Sequence, residues 1–167
     1  MLNLEICDNG NHKVVYYRNA DDVAIRVTIL DLNNNIIQDL ISEYDKTGRN
    51  ICDVLFGKDP TKIIAYREYH FRDNEKHDSG WTDYKKVNGE FVKLHSQSGG
   101  WIIKDELSRC DWFYPNGELA FYELFKFDND IGGMCKEYSY FPNGERIVEF
   151  CDEPRLEHFD DYYLDFI

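Results

Sequence analysis

Basic residues are scarce in this chain. Nineteen lysines and arginines stand against 32 aspartates and glutamates, a net charge of −13 over 167 residues. Binding to nucleic-acid phosphates or anionic membranes depends on neutralising charge with Lys and Arg, so neither is an expected partner. Long apolar runs are missing too: no stretch approaches the ~18 residues of a membrane-spanning helix. The five cysteines, Cys7, Cys52, Cys110, Cys135 and Cys151, are odd in number and form no C-x-x-C pair. With no signal-peptide pattern at the N-terminus, reduced thiols in a cytoplasmic protein are expected. A phosphate-cradling loop is also absent, because Gly99-Gly100 and Gly132-Gly133 lack the accompanying lysine and helix.

Aromatic residues, by contrast, are abundant. They make up 16% of the chain, with 12 Tyr and 11 Phe, within an apolar content of 43%. That excludes a disordered chain and favours sheet. The length suits one domain with a respectable core. The acidic surface would attract a basic partner over long range, or would simply keep a β-rich surface soluble.

The stretch from Trp112 to Phe150 repeats one phrase. Trp112-Phe113-Tyr114-Pro115-Asn116-Gly117-Glu118 is followed by Tyr138-Ser139-Tyr140-Phe141-Pro142-Asn143-Gly144-Glu145, each leading into a second apolar run. Asn-Gly is a strong hairpin signal, because a two-residue turn needs positive φ at both central positions. Proline before it cannot donate to a ladder and marks a strand end. A looser copy runs from Gly80-Trp81 to Asn88-Gly89-Glu90. The three Asn-Gly-Glu triplets start at 88, 116 and 143, spaced 28 and 27 residues apart. The chain is built by repeating hairpins.

The remainder fits the same plan. Leu2 to Ile6 and Val14 to Tyr17 flank a turn at Asp8-Asn9-Gly10-Asn11, and Val23, Ile25, Val27 and Ile29 line one face of a third strand. Residues 36–47 fit either a helix, with Ile36, Ile37, Leu40, Ile41 and Tyr44 at helical spacing, or two short strands; the turns on both sides favour strand. Strands are expected at 50–57, 61–71, 81–86 and 91–95, a turn at Ser96-Gln97-Ser98-Gly99-Gly100, and a strand again from Trp101 to Leu107. Polar residues 72–80 read as a loop. After Cys151, Asp152-Glu153-Pro154 suits a helix start, and Leu156, Phe159 and Tyr163 then share one helical face. The expected fold is all-β: an antiparallel meander of about 10–12 strands with a short C-terminal helix capping the open end of the sheet. It reads as one domain, with irregular hairpins over 1–80, repeated hairpins over 81–150 and an acidic helix or cap over 151–167.

The Gly-Trp-x-x-Tyr…Asn-Gly-Glu and Tyr/Phe-Pro-Asn-Gly-Glu phrases resemble the bacterial MORN-type repeat over 81–150. Trp101 to Cys110 interrupts the rhythm, and no Gly-Trp opens the 138–145 copy. Tyr44-Asp45-Lys46-Thr47-Gly48-Arg49 and Leu30 to Ile37 look more like the tyrosine-aspartate repeats of Rhs-type proteins. The resemblance implies an antitoxin or an immunity protein of a polymorphic toxin system, which blocks a toxin that often carries a basic surface.

Several groups carry side chains of types used in chemistry. His70 and His77, with Asp73 and Asp78, are metal-ligand types in one loop, but their spacing matches no zinc pattern and no metal is expected. The acid pairs Asp105/Glu106, Asp128/Asp130 and Asp152/Glu153 read as turn decoration, and Cys110 and Cys151 as inert thiols. No catalytic residue or cofactor is therefore expected. Trp81, Trp101 and Trp112 read as core more readily than as a sugar- or base-stacking face. The acidic tail is the expected contact for a protein partner, through Asp152, Glu153, Glu157, Asp160, Asp161, Tyr162, Tyr163 and Asp165. The opposing reading is a solvated cap with its aromatics turned inward. The leading function is inhibition of a basic toxin by occlusion; the alternative is a repeat scaffold or carbohydrate-binding module using exposed aromatics.

Overall fold

The computed structural model describes residues 3–8, 10–72, 79–102, 107–128, 130 and 132–163, with side chains left aside at 100–102 and 150. Twelve strands follow one another: β1 (Asn3–Asp8), β2 (Lys13–Arg18), β3 (Ala24–Leu30), β4 (Ile36–Tyr44), β5 (Asn50–Phe56) and β6 (Ile63–His70). They continue with β7 (Gly80–Val87), β8 (Glu90–Ile102), β9 (Ser108–Phe113), β10 (Leu119–Asp128), β11 (Gly133–Tyr140) and β12 (Arg146–Ile147). They form one sheet whose strand order is the chain order, a meander of successive hairpins. Residues 36–44 are strand, as the flanking turns require.

The Asn-Gly hairpins use two kinds of turn. Asn88 and Gly89 have φ of 52° and 92°, the expected two-residue turn. The Pro-Asn-Gly copies differ from that expectation. The Tyr114 N–H donates to the Glu118 carbonyl and the Gly117 N–H to the Tyr114 carbonyl, both at 2.9 Å. That closes a three-residue loop in which only Gly117, at φ 89°, is left-handed. Phe141 to Glu145 repeats the pattern around Gly144, and Asp45 to Arg49 around Gly48. Proline suits this loop in the Pro-Asn-Gly copies, its φ near −65° fitting the first position of a type I turn and not the primed one, while Asp45–Arg49 reaches the same loop with Lys46 there.

Three further expectations are corrected. β8 runs straight through 96–100, where a turn was expected. Ser96, Gln97 and Ser98 pair with Phe113, Trp112 and Asp111, and the ladder shifts register only between Ser98 and Trp101. The small residues there serve close packing: a Cβ at Gly99 would stand 2.5 Å from Cys110 Sγ, and one at Gly80 2.1 Å from the Gln97 carbonyl oxygen. Of the strand expected over 101–107, residues 103–106 lie outside the described residues. The apolar run after Asn143-Gly144 makes only a two-residue strand before a 3-10 turn at Phe150–Asp152.

The C-terminal segment is the third correction. Its short helix is a 3-10 turn at Phe159–Tyr162, preceded by an irregular stretch over 154–158. It lies against strand faces, where an end cap was expected, because Leu156 and Phe159, at 6% and 3% exposure, are taken up by core clusters.

The chain divides into two compact units: Met1–Tyr69, Asp83–Val92 and His158–Ile167 in the first, His70–Thr82 and Lys93–Glu157 in the second. In unit 1, Leu55 and Ala65 enclose Phe159, with Leu40, Ile64, Tyr162 and Tyr163 packed around them. The other face of these strands carries Tyr66, stacked on Tyr84 at 4.5 Å with Phe91 edge-on at 4.8 Å. In unit 2, Ala120, Phe121, Ile147 and Leu156 form the core, flanked by Trp112 and Phe141. Burying a side chain such as Phe159 contributes about 1.5–3 kcal/mol.

Candidate protein-binding site

The acidic C-terminal segment is tied down in each unit by polar contacts as well as by its apolar side chains. In unit 1, Asp83 is fully buried and accepts two bonds from the Arg67 guanidinium, Nε to Oδ1 at 2.7 Å and Nη2 to Oδ2 at 3.0 Å. The Phe159 N–H donates to Asp83 Oδ2 at 2.8 Å, and Arg67 Nη2 reaches Asp160 Oδ2 at 2.8 Å. Gln38 Nε2 donates to the Tyr162 carbonyl at 2.6 Å. Burial would lower the Arg67 pKa, but the hydrogen bonds to Asp83 and the charges of Asp83 and Asp160 outweigh it and hold it above the usual arginine value.

In unit 2, Glu153 Oε1 accepts from Lys136 Nζ at 2.8 Å and from Ser139 Oγ at 2.6 Å. Lys136 also donates to Glu123 at 2.9 Å, while Glu123 Oε2 accepts from Trp112 Nε1 at 2.7 Å. Burial pulls the Lys136 pKa down, yet its bonds to Glu153 and Glu123 leave it raised. His95, with no exposed surface, places Nδ1 2.7 Å from the Glu157 carbonyl. The carbonyl can only accept, so that ring nitrogen carries the proton.

These anchors sort the expected contact residues. Asp152 and Glu157 are exposed in unit 2, and Asp160 and Asp161 in unit 1. Glu153 is half-buried and committed to Lys136 and Ser139. Asp160 is exposed yet paired with Arg67, and Asp161 accepts from the His158 N–H at 2.8 Å. Tyr162 and Tyr163 turn inward onto the unit 1 core. Asp165 lies outside the described residues. The turn residues Asn88, Gly89, Asn116, Gly117, Asn143 and Gly144 are all exposed at hairpin tips.

His70 Nε2 lies 2.7 Å from Thr82 Oγ1, and Asp73, His77 and Asp78 are outside the described residues, as are Asp105 and Glu106. All five cysteines are free thiols. Trp112 stacks on Phe121 at 5.7 Å and meets Trp81 edge-to-face at 5.8 Å. Asp128 and Asp130 line an open cavity of about 330 Å³ with Lys126, Phe127, Cys135 and Glu137.

Sequence reasoning missed the cross-strand ion pairs, Arg67 with Asp83 and Arg26 with Asp39. Asp39 is 2% exposed and takes two guanidinium bonds, at 2.8 and 2.7 Å, plus Thr28 Oγ1 at 2.7 Å. An isolated Asp inside the apolar run Ile36-Ile37-Gln38-Asp39-Leu40-Ile41 was the available signal, because a buried carboxylate requires a partner. It also missed the exposed aliphatics of β1, Leu4 at 62% and Ile6 at 64%.

No family model matches the chain, no curated protein matches it, and no solved structure matches it.

Proposed function

We propose that the protein is a non-catalytic immunity protein or antitoxin, which binds a cognate basic toxin in the cytoplasm and neutralises it by occlusion. The observation that carries the proposal is the state of the C-terminal acids. Asp152, Glu157, Asp160 and Asp161 are exposed on a segment whose apolar side chains are buried and whose backbone is bonded to side chains of the sheet. Carboxylates held in place in this way attract a basic surface without a large ordering cost on binding. A net charge of −13 adds long-range steering to the encounter. The hairpin phrases that resemble MORN-type and tyrosine-aspartate repeats point the same way. Sugar binding draws less support: Tyr122 has the Tyr140 ring stacked at 5.2 Å and the Arg109 guanidinium at 3.9 Å, leaving little open ring face for a pyranose.

The test is co-expression with the product of the adjacent gene, followed by calorimetry at low and high salt. The expected result is restored growth and a stoichiometric complex that weakens as salt rises. Charge reversal at Asp152 and Glu157 should slow association, and these positions are better chosen than Asp160, whose reversal would set a cation beside Arg67. A neighbouring toxin that remains active in the presence of excess protein would overturn the proposal.

A further inference from the structure

The two ends of the strand order are unlike. At one end β12 is only two residues long and pairs with Ser139 and Tyr140 alone, and the rest of the outer side of β11 carries Lys136 and a bulge opposite Leu124 and Phe125, two features that blunt an edge. β1 has six residues, all exposed, paired in uninterrupted register with β2 from Asn3↔Arg18 to Asp8↔Lys13. Among the described residues nothing pairs with its other side. Alternate main-chain N–H and C=O groups of an edge strand point away from its neighbour, so β1 offers a row of unused donors and acceptors. Edge strands are usually blunted by lysine, proline or a bulge, and Asn-Leu-Glu-Ile-Cys-Asp contains none of these.

The side chains favour docking as well. Leu4 and Ile6 are two residues apart and so lie on one face, beside their cross-strand partners Tyr17 and Val15. They are 62% and 64% exposed, an apolar strip that ends at the edge. The charged residues of β1 are both acids, Glu5 and Asp8, and exposed Asp21 and Asp22 lie in the β2–β3 turn. Arg18 bridges both Glu5, at 3.0 Å, and Asp22, at 3.8 Å, which leaves Asp8 and Asp21 to set the local field. A second copy would bring another acidic edge and another −13 of charge. A basic strand would bring the complement.

We infer that the outer edge of β1 docks an extended basic segment of a protein partner, which joins the sheet as a further strand. Main-chain bonds would supply affinity, apolar side chains would cover Leu4 and Ile6 with a cation beside them on that face to meet Asp8, and cations on the other face would meet Glu5. The inference rests on the proposed binding function only in taking the partner to be a basic protein.

An alternating lysine–valine hexapeptide, capped at both ends, tests it without the natural partner. Its N-methylated counterpart cannot complete the ladder and serves as control. Amide hydrogen exchange should slow at residues 3–8 on adding the peptide. Affinity from fluorescence anisotropy should fall at least tenfold with the N-methylated peptide, and similarly in Ile6→Lys. Ile6→Thr keeps the strand propensity and should give an intermediate loss, which separates edge contact from misfolding. Equal binding of the N-methylated peptide would overturn the inference, as would slowed exchange confined to another strand. Sedimentation showing a dimer whose residues 3–8 are protected without peptide would also overturn it, by naming a second copy as the occupant. None of these failures touches the proposed function, which the toxin-neutralisation assay decides separately.

Discussion

Arg67 and Asp83 meet through a two-pronged ion pair in which the carboxylate has no exposed surface and the guanidinium side chain 13%. The same carboxylate holds the Phe159 N–H, and the same guanidinium reaches out to Asp160. One pair thus joins β6, β7 and the C-terminal turn of unit 1. Such a pair stabilises little in itself, but breaking it strands a charge. Arg67→Ala should therefore cost about 3–5 kcal/mol in urea unfolding. Asp160→Asn removes only the partner whose side chain is 67% exposed and should cost about 0–1 kcal/mol. Similar losses from the two changes would refute the assignment of Asp83 as the load on Arg67.

Gly99 and Cys110 should behave as a coupled pair. A methyl at Gly99 would stand 2.5 Å from the cysteine sulfur, and 2.9 Å from Gln97 Nε2. Gly99→Ala should destabilise by about 1–3 kcal/mol, the usual cost of overpacking. Cys110→Ala removes the obstructing sulfur and should recover most of that loss, a coupling that a double-mutant cycle reads directly. At Gly80 the obstruction is the Gln97 backbone oxygen, 2.1 Å away, and φ is 152°. No side-chain change can relieve Gly80→Ala, and persistence of the Gly99 penalty in the Cys110→Ala background would refute the packing account.

These two glycines also mark where the sequence became hard to read. The meander was legible because Asn-Gly, Asp-x-x-Gly and Pro-Asn-Gly carry their turn chemistry locally. Ser96 to Gly99 carry the same composition for another reason. Gln97 is buried and its Nε2 donates to Cys110 Sγ, while Gly99 leaves room for that sulfur, and both reasons lie across the ladder on β9. The acidic tail was legible as acidic but not as anchored. Leu156, Phe159 and Tyr163 fit a helical face, yet Leu156 and Phe159 are claimed by different core clusters, and the chain takes an irregular course between them. The partners of Asp39 and Asp83 sit 13 and 16 residues away, beyond any local pattern.

Cys52 should be the slow thiol. Burial, together with the charges of Glu43, Asp53 and Glu68, pushes its pKa up to about 12. Glu43 and Glu68 are its cross-strand neighbours on β4 and β6. Labelling runs through the thiolate, so Cys52 should react far more slowly at pH 8 than exposed Cys7 and Cys151. Mass spectrometry of iodoacetamide-treated protein reads the order. Glu68→Gln should speed Cys52 by lowering its pKa, and an unchanged rate would remove the electrostatic part of the explanation.

The hairpin turns should supply an acid-sensitive share of stability. Asp45 Oδ1 accepts from Thr47 Oγ1 at 2.6 Å, Thr47 N at 2.8 Å and Arg49 N at 3.0 Å, and Oδ2 from Arg49 Nε at 2.7 Å. Those bonds, the Thr47 hydroxyl first, hold its pKa well below the ordinary 3.8. Asp59 is lowered to about 2, chiefly by the Thr61 hydroxyl, then by the Thr61 N–H and Lys62. A carboxylate whose pKa is depressed by folding adds stability that is present above about pH 4 and is lost as pH falls through its folded value. The whole-protein response is mixed, since protonating other acids also relieves the repulsion of a chain at −13. Comparison with Asp45→Asn and Asp59→Asn isolates the turns, because both proteins share that background. The wild type should lead in urea midpoint at pH 7, and its lead should shrink between pH 4 and about pH 2. For Asp45 the closing should continue to more acid pH than for Asp59, because more bonds hold its ionised form. A lead that stays constant across this range would mean that the turns depend on the shape of the Asp side chain and not on its charge.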